Sequence, residues 1–188
     1  IPIPPQGSSG RRARALLLFG DFRRPEDFLC GEDAGFGMGH IYSYNELCAA
    51  YAQAHCRAYN RWIIDFCKGT NGRLLPVAHL SLGDVDEAVR ELERSVKEGA
   101  IGGFVAPFTI TKKPHGHPDH DPLWAKAQEL DVPIAIHPTL EPVATNPHLR
   151  FKDMGHKTGW YYNVFAGFGS QMAFTTFFQY GVFDRFPN

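Results

Sequence analysis

The sequence predicts an α/β fold built on a parallel sheet. Three observations lead there. Short apolar runs recur along the chain: ALLLFG (15–20), LLPVAHL (74–80), IGGFVAPF (101–108) and VPIAIH (132–137). Segments with helical periodicity separate them. Gly and Pro mark most of the joints. Strands that are apolar on both faces and joined by helices make parallel sheets covered on both sides. The order suits a partial (β/α) barrel of the TIM type, with about four to five βα units legible in the 188 residues; a closed barrel has eight units and about 250 residues. An open doubly wound sheet also fits the pattern. Residues 1–188 are read as a single domain, part of a longer barrel, with IPIPPQGSSGRRA (1–13) a loop or linker.

Each element follows from local chemistry. Residues 21–42 read as a loop. Its glycines (Gly31, Gly35, Gly37, Gly39) lack the G-x-G-x-x-G spacing of a phosphate-binding turn. Ser43 and Glu46 form a capping box, and Leu47, Tyr51, Ala54, Ala58 and Trp62 then give a helical stripe that stops at Gly69. Asp84 and Glu87 open the next helix. Val85, Ala88, Val89, Leu92 and Val96 form its apolar face, and Gly99 closes it. The rest of DEAVRELERSVKE reads as a solvated face, with Glu87–Glu91 repulsion offset by Glu93–Lys97 attraction. Asp121 is read as a cap with Pro122 at the first helical position, and Leu123, Trp124, Ala127 and Leu130 point to the core. A last helix is expected over about 163–182, with Phe165, Phe168, Phe174, Phe177 and Phe178 packed in the core or, alternatively, buried between subunits, and DRFPN turns toward a further strand.

Composition narrows the function. A net charge of −1 offers no basic field for nucleic acid or an anionic membrane. No apolar run approaches the length of about 18 residues that a membrane span needs. A cytoplasmic protein is expected. Cys30, Cys48, Cys56 and Cys67 contain no C-x-x-C, and three of them fall in one predicted helix, so reduced thiols are expected. No G-x-S-x-G elbow occurs.

Four stretches in fixed order carry a resemblance: AYNRWIIDFC, then GRLLPVAHLSLGDVDEAVRELERSVKEGAIGGFVAPF, then HPDHDPLWAKAQELDVPIAIHP, then GVFDRFPN. Together they resemble the amidohydrolase superfamily, in the branch that includes aminocarboxymuconate-semialdehyde decarboxylase and the resorcylate decarboxylases. The similarity covers roughly residues 45–188. It implies a distorted (β/α) barrel holding one divalent metal, with zinc expected and manganese or iron as alternatives. It also implies a metal-dependent hydrolase or non-oxidative decarboxylase acting on a small aromatic or carboxylate-bearing substrate. The histidine of IAIHP, His137, matches a strand-end metal ligand of that family. The family's first-strand ligand pair and last-strand aspartate have no match in these residues.

The remaining histidines are weighed on position. A side chain at the C-terminal end of a parallel strand faces the functional rim, and neutral imidazole suits a divalent cation. His137 meets both conditions. His79, in LLPVAHL, and His156, in DMGHKTGW, are candidate catalytic groups. His115, His117 and His120 lie in KKPHGHPDHD. They are candidate substrate contacts, set against a plain solvated loop. The partner expected is a small-molecule substrate, and a homo-oligomer is allowed. The competing reading is a metal-free ligand-binding or oligomerisation protein on a degenerate barrel scaffold.

Overall fold

The computed structural model describes residues 46–137 and 167–188, with side chains from residue 49 onward in the first stretch. In chain order the elements are α1 (Glu46–Lys68), β1 (Ala78–Leu80), α2 (Val85–Glu98), β2 (Gly103–Val105), a 3-10 turn (Pro118–His120), α3 (Asp121–Glu129), β3 (Ile134–Ile136), α4 (Gly167–Gln179) and the short α5 (Val182–Arg185). The strands form a parallel sheet in the order β1-β2-β3. Strand, helix and strand thus repeat as the sequence pattern predicts. Each strand is three residues long, shorter than its apolar run. The predicted first strand, residues 1–42, Ser43 and Phe165 lie outside the described residues.

Register sets the two faces of the sheet. Ala78, Gly103 and Ile134 pair across it, as do His79, Phe104 and Ala135, and Leu80, Val105 and Ile136. Side chains alternate along a strand. Ala78, Leu80 and Val105 therefore share one face, where they join Ile63, Ile64, Leu92, Leu123 and Trp124 in a continuous core. His79, Phe104 and Ala135 share the other. β3 is an edge of the described sheet, with Ile134 and Ile136 half-buried and Ala135 exposed. The expectation of cover on both faces therefore holds for β1 and β2 and not for β3.

The caps of α2 follow the sequence. Asp84 takes extended backbone and its Oδ1 accepts the Glu87 N–H at 3.0 Å. Gly99 closes the helix at φ 119°, a left-handed conformation that costs a residue without Cβ little.

Several expectations need correction. The buried stripe of α1 is Ala52, Gln53, Cys56, Asn60, Ile63, Ile64 and Cys67, while Ala54 and Ala58 are exposed and Trp62 is 51% exposed. The buried face includes two carboxamides, which an apolar count passes over. Glu91 is not solvated: it lies 5% exposed and accepts hydrogen bonds from Asn60 and Arg94. Asp121 does not cap α3. It is the first helical residue, after the 3-10 turn, and its carboxylate pairs with both Arg185 Nε (2.9 Å) and Nη2 (2.8 Å). Asp184 and Arg185, read as a turn, belong to α5. Of the aromatic side chains on α4 only Phe177 is buried; Phe168, Phe174 and Phe178 stand 44–64% exposed among the described residues.

The C-terminal helices lock onto the loop before α3 at a close approach. The Gly116 N–H donates to Thr176 Oγ1 at 2.9 Å. A Cβ built on Gly116 would collide with the Thr176 carbonyl oxygen. Backbone cannot yield there as a flexible side chain can. Gly116→Ala is expected to destabilise the fold by about 1–3 kcal/mol, as overpacking does. Gly167→Ala, where a Cβ meets nothing within 4 Å, is expected to stay near neutral. Thermal unfolding of the two variants checks the contrast.

Candidate functional site

The face opposite the core carries the candidate chemistry. His79 lies at the middle of β1, 6% exposed. Its ring stacks flat on Phe104 of β2, centroids 4.5 Å apart and planes within 3°. The Tyr59 ring meets both edge-on, 6.3 Å from His79 and 6.5 Å from Phe104. One residue past β3, the His137 N–H donates to the Val105 carbonyl at 3.0 Å. That bond extends the ladder by a step, so His137 stands two residues beyond Ala135 and on the same face. Its half-buried ring presents to Phe104 at 6.2 Å and 68°. A row of rings therefore runs His79, Phe104, His137 along one side of the sheet.

Electrostatics keep the inner end of that row uncharged. Burial holds the His79 imidazole far below its ordinary value, at about 3, with smaller contributions from His55 and His137. At neutral pH His79 is therefore a neutral ring. His55 of α1, packed against Tyr51 at 4.4 Å, is also lowered by burial. Neutral imidazoles can ligate a cation or exchange hydrogen bonds. Among the described residues no group of three or more His, Cys, Asp or Glu side chains gathers as a metal would require. His137 fits the chemistry of one ligand, and the described residues do not supply a complete set.

The loop histidines do other work. The expectation of a solvated loop is corrected for two of them: His115 is 3% and His120 1% exposed. His115 Nε2 lies 2.7 Å from the Ala106 carbonyl, which fixes the proton on that nitrogen. His120 Nδ1 and Trp124 Nε1 both donate to the His115 carbonyl at 3.2 Å. His117 Nδ1 accepts the Asp119 N–H at 3.2 Å and caps the 3-10 turn, its ring 6.0 Å from Tyr180. Lys113 and Asp119 form an ion pair at the loop surface. These bonds tie the loop to the end of β2 and to α3, and the Gly116 bond to Thr176 ties it to α4. The structure brings His79 and His137 to one row, and collects His115, His117 and His120 in a second cluster. His156 lies outside the described residues.

Sequence reasoning missed Phe104 and Asn60. Phe104 was reachable, since register in a parallel sheet puts it beside His79. Asn60 carried no signal, because a lone asparagine on a helix reads as surface.

Stability should report the buried imidazoles. His115 is held at about 4 by burial, against an ordinary 6.5. Between those values the unfolded chain binds the proton and the folded one does not. Stability is therefore full above about pH 6.5 and falls as pH drops toward about 4, with a slope of up to about 1.4 kcal/mol per pH unit for each such histidine. His79 extends the decline toward about 3. Urea unfolding across a pH series should show a shallower slope in His115→Gln than in the parent.

Comparison with known proteins places the chain. The family model described as Amidohydrolase matches residues 19–188. The protein named Decarboxylase orsB, from Emericella nidulans, is 36% identical over 128 residues, which is 61% of this chain and 35% of that protein. A crystal structure of 2,6-dihydroxybenzoate decarboxylase complexed with 2,6-dihydroxybenzoate superposes with a TM-score of 0.59 at 23% identity, covering 80% of this chain and 47% of the other. A 5-carboxyvanillate decarboxylase from Novosphingobium aromaticivorans, crystallised with manganese and a nitrobenzoic acid ligand, gives a TM-score of 0.51 at 21% identity, covering 61% and 32%. The chain thus spans about a third to a half of the length of these proteins. The family match runs through all the described elements: the chain belongs to the amidohydrolase family.

Proposed function

We propose that this chain contributes to a metal-dependent, non-oxidative decarboxylase of small aromatic carboxylates. The observation that carries the reading is the placement of His137. Its ring emerges at the C-terminal end of a parallel strand, on the face that bears His79 and Phe104. That is the end at which (β/α) barrels hold their sites. The three strands are read as consecutive members of such a barrel, with this face turned inward. The relatives named above as decarboxylases favour carbon dioxide release over hydrolysis.

His137 is proposed as one ligand of a single divalent metal, the remaining ligands lying outside the described residues. Manganese stands beside zinc as its identity, given the manganese in the 5-carboxyvanillate decarboxylase. A bound divalent cation supplies orientation of the substrate carboxylate and polarisation of a neighbouring oxygen. This chain's own residues supply the wall. Phe104, buried and stacked on His79, forms the aromatic backing beside the proposed ligand. His79 remains neutral behind it and adds no cationic charge that would hold a carboxylate in its ground state. His79 is assigned to that wall, and His115 and His120 to the loop's internal ties. The family architecture, the buried thiols of Cys56 and Cys67 and the absence of a membrane-spanning helix among the described residues accord with a cytoplasmic enzyme.

The test uses the full-length protein. Elemental analysis should find one divalent metal per chain, and 2,6-dihydroxybenzoate should lose carbon dioxide to give the corresponding diol. His137→Ala should lose the metal and lower the rate by more than about 100-fold, beyond the effect typical of groups that only support a ligand. Retention of both metal and rate by His137→Ala would exclude the assignment. Metal-free protein with no turnover would favour a scaffold role instead.

A further inference from the structure

We propose that Asn60 is a positioning residue for the ring row, acting as a substitute strand on the outer edge of β1. The inference rests on reading that row as the wall of the active site.

The edge has a defined need. Alternate peptide groups of a strand point to opposite sides. The Ala78 N–H donates to the Gly102 carbonyl, and the Pro76 carbonyl accepts from Ile101 N–H. Even-numbered residues of β1 thus face β2. His79 therefore directs its own N–H and C=O to the outer side, where the described sheet ends. Buried peptide groups need partners. Asn60 provides both: its Oδ1 accepts the His79 N–H at 2.7 Å and its Nδ2 donates to the His79 carbonyl at 2.9 Å. A carboxamide carries the same donor and acceptor as a strand peptide. Gln53, two turns earlier on α1, supplies the donor half of the same device to the Ser81 carbonyl at 3.0 Å. Asn60 is fully buried and Gln53 is 2% exposed.

The amide also has a fixed orientation. The second Nδ2 proton goes to Glu91 Oε1 at 2.7 Å. Glu91 is in turn held by Arg94, with Nη2 at 2.6 Å and Nε at 3.0 Å. A flipped Asn60 would set its NH2 against the His79 N–H and its oxygen against a carboxylate. Burial pushes the Glu91 carboxyl up, and the bonds from Arg94 and Asn60 outweigh it, so Glu91 remains ionised and the orientation persists at neutral pH. A chain of contacts then leads from the Arg94–Glu91 ion pair through Asn60 to His79, and across the stack at Phe104 to His137. A slip of β1 by one residue would turn the His79 ring to the helix side. The clamp opposes that slip at the residue whose ring matters.

The test compares Asn60→Ala with Glu91→Gln in the full-length protein, at temperatures where each is folded. Stacking on Phe104 should shift the His79 ring protons upfield in the parent. Asn60→Ala should remove that shift, speed exchange of the His79 amide, move the His137 ring signals and lower kcat by about 10- to 100-fold with less change in KM. Glu91→Gln keeps an acceptor for Asn60. It should lower the unfolding temperature while leaving the His79 shift and kcat at parental values. The proposal fails if Asn60→Ala leaves the ring signals and amide exchange unchanged, or if activity in both variants merely tracks stability. It also fails if neither Asn60→Ala nor Asn60→Asp folds, since Asn60 is then purely structural. A parent without decarboxylase activity would refute the functional reading, and the His79 and His137 signals would still decide the positioning role.

Discussion

Adjacent residues of a strand must point to opposite sides of the sheet, and three parallel strands in register turn that rule into a division of labour. Ala78, Leu80 and Val105 go to the helices and make a core with Ile63, Leu92 and Leu123. His79, Phe104 and Ala135 go the other way, followed at the next step by His137. Neither face can change without the other. The apolar packing that stabilises the helix side holds the ring row at a fixed height, and hydrophobic burial, roughly 25 cal/mol per Å² of apolar surface, is what makes that packing strong enough to do so. The candidate chemistry is therefore mounted on rigid backbone and not on loops, which is the condition for precise placement.

Several buried polar side chains of this fold are committed to backbone groups. Asn60 and Gln53 serve the outer edge of β1, and His115 serves the carbonyl of Ala106 after β2. His120 and Trp124 together serve the carbonyl of His115. The two carboxamide ties join α1 to a strand 19 and 28 residues away, while the loop ties are local. Leaving such a group unpaired in a dry interior costs about 1–3 kcal/mol, so these bonds specify one arrangement more than they add net stability. Glu91 is the exception in charge. It is buried and ionised because Arg94 and Asn60 stand beside it.

The two histidine clusters differ in the same physical terms. His115 and His120 have ring nitrogens engaged by backbone carbonyls, which makes them structural ties within the loop and from the loop to the end of β2. His137 has its main-chain N–H engaged by the Val105 carbonyl, and its ring meets Phe104 at 6.2 Å. Its place on the ladder, on the face that bears His79 and Phe104, separates the proposed ligand from the neighbouring H-x-H. The aromatic faces of Phe168, Phe174 and Phe178 on α4 stand outside both clusters.

The alternation of strands and helices, the cap at Asp84, the stop at Gly99 and the position of His137 at a strand end are all legible in residue order. These follow from local rules: hydrophobic period, side-chain acceptors for free N–H groups, and a residue without Cβ where φ is positive. Tertiary structure alone decided which stripe of α1 is buried, since Gln53 and Asn60 are acceptable inside only when a strand edge stands opposite to receive their bonds. It decided too that Glu91 turns inward and that His115 and His120 leave solvent, because the partners of all three lie far away along the chain or in backbone carbonyls that no side-chain pattern records. Periodicity measures what a residue avoids, which is water; it does not register a polar group whose partner only folding supplies.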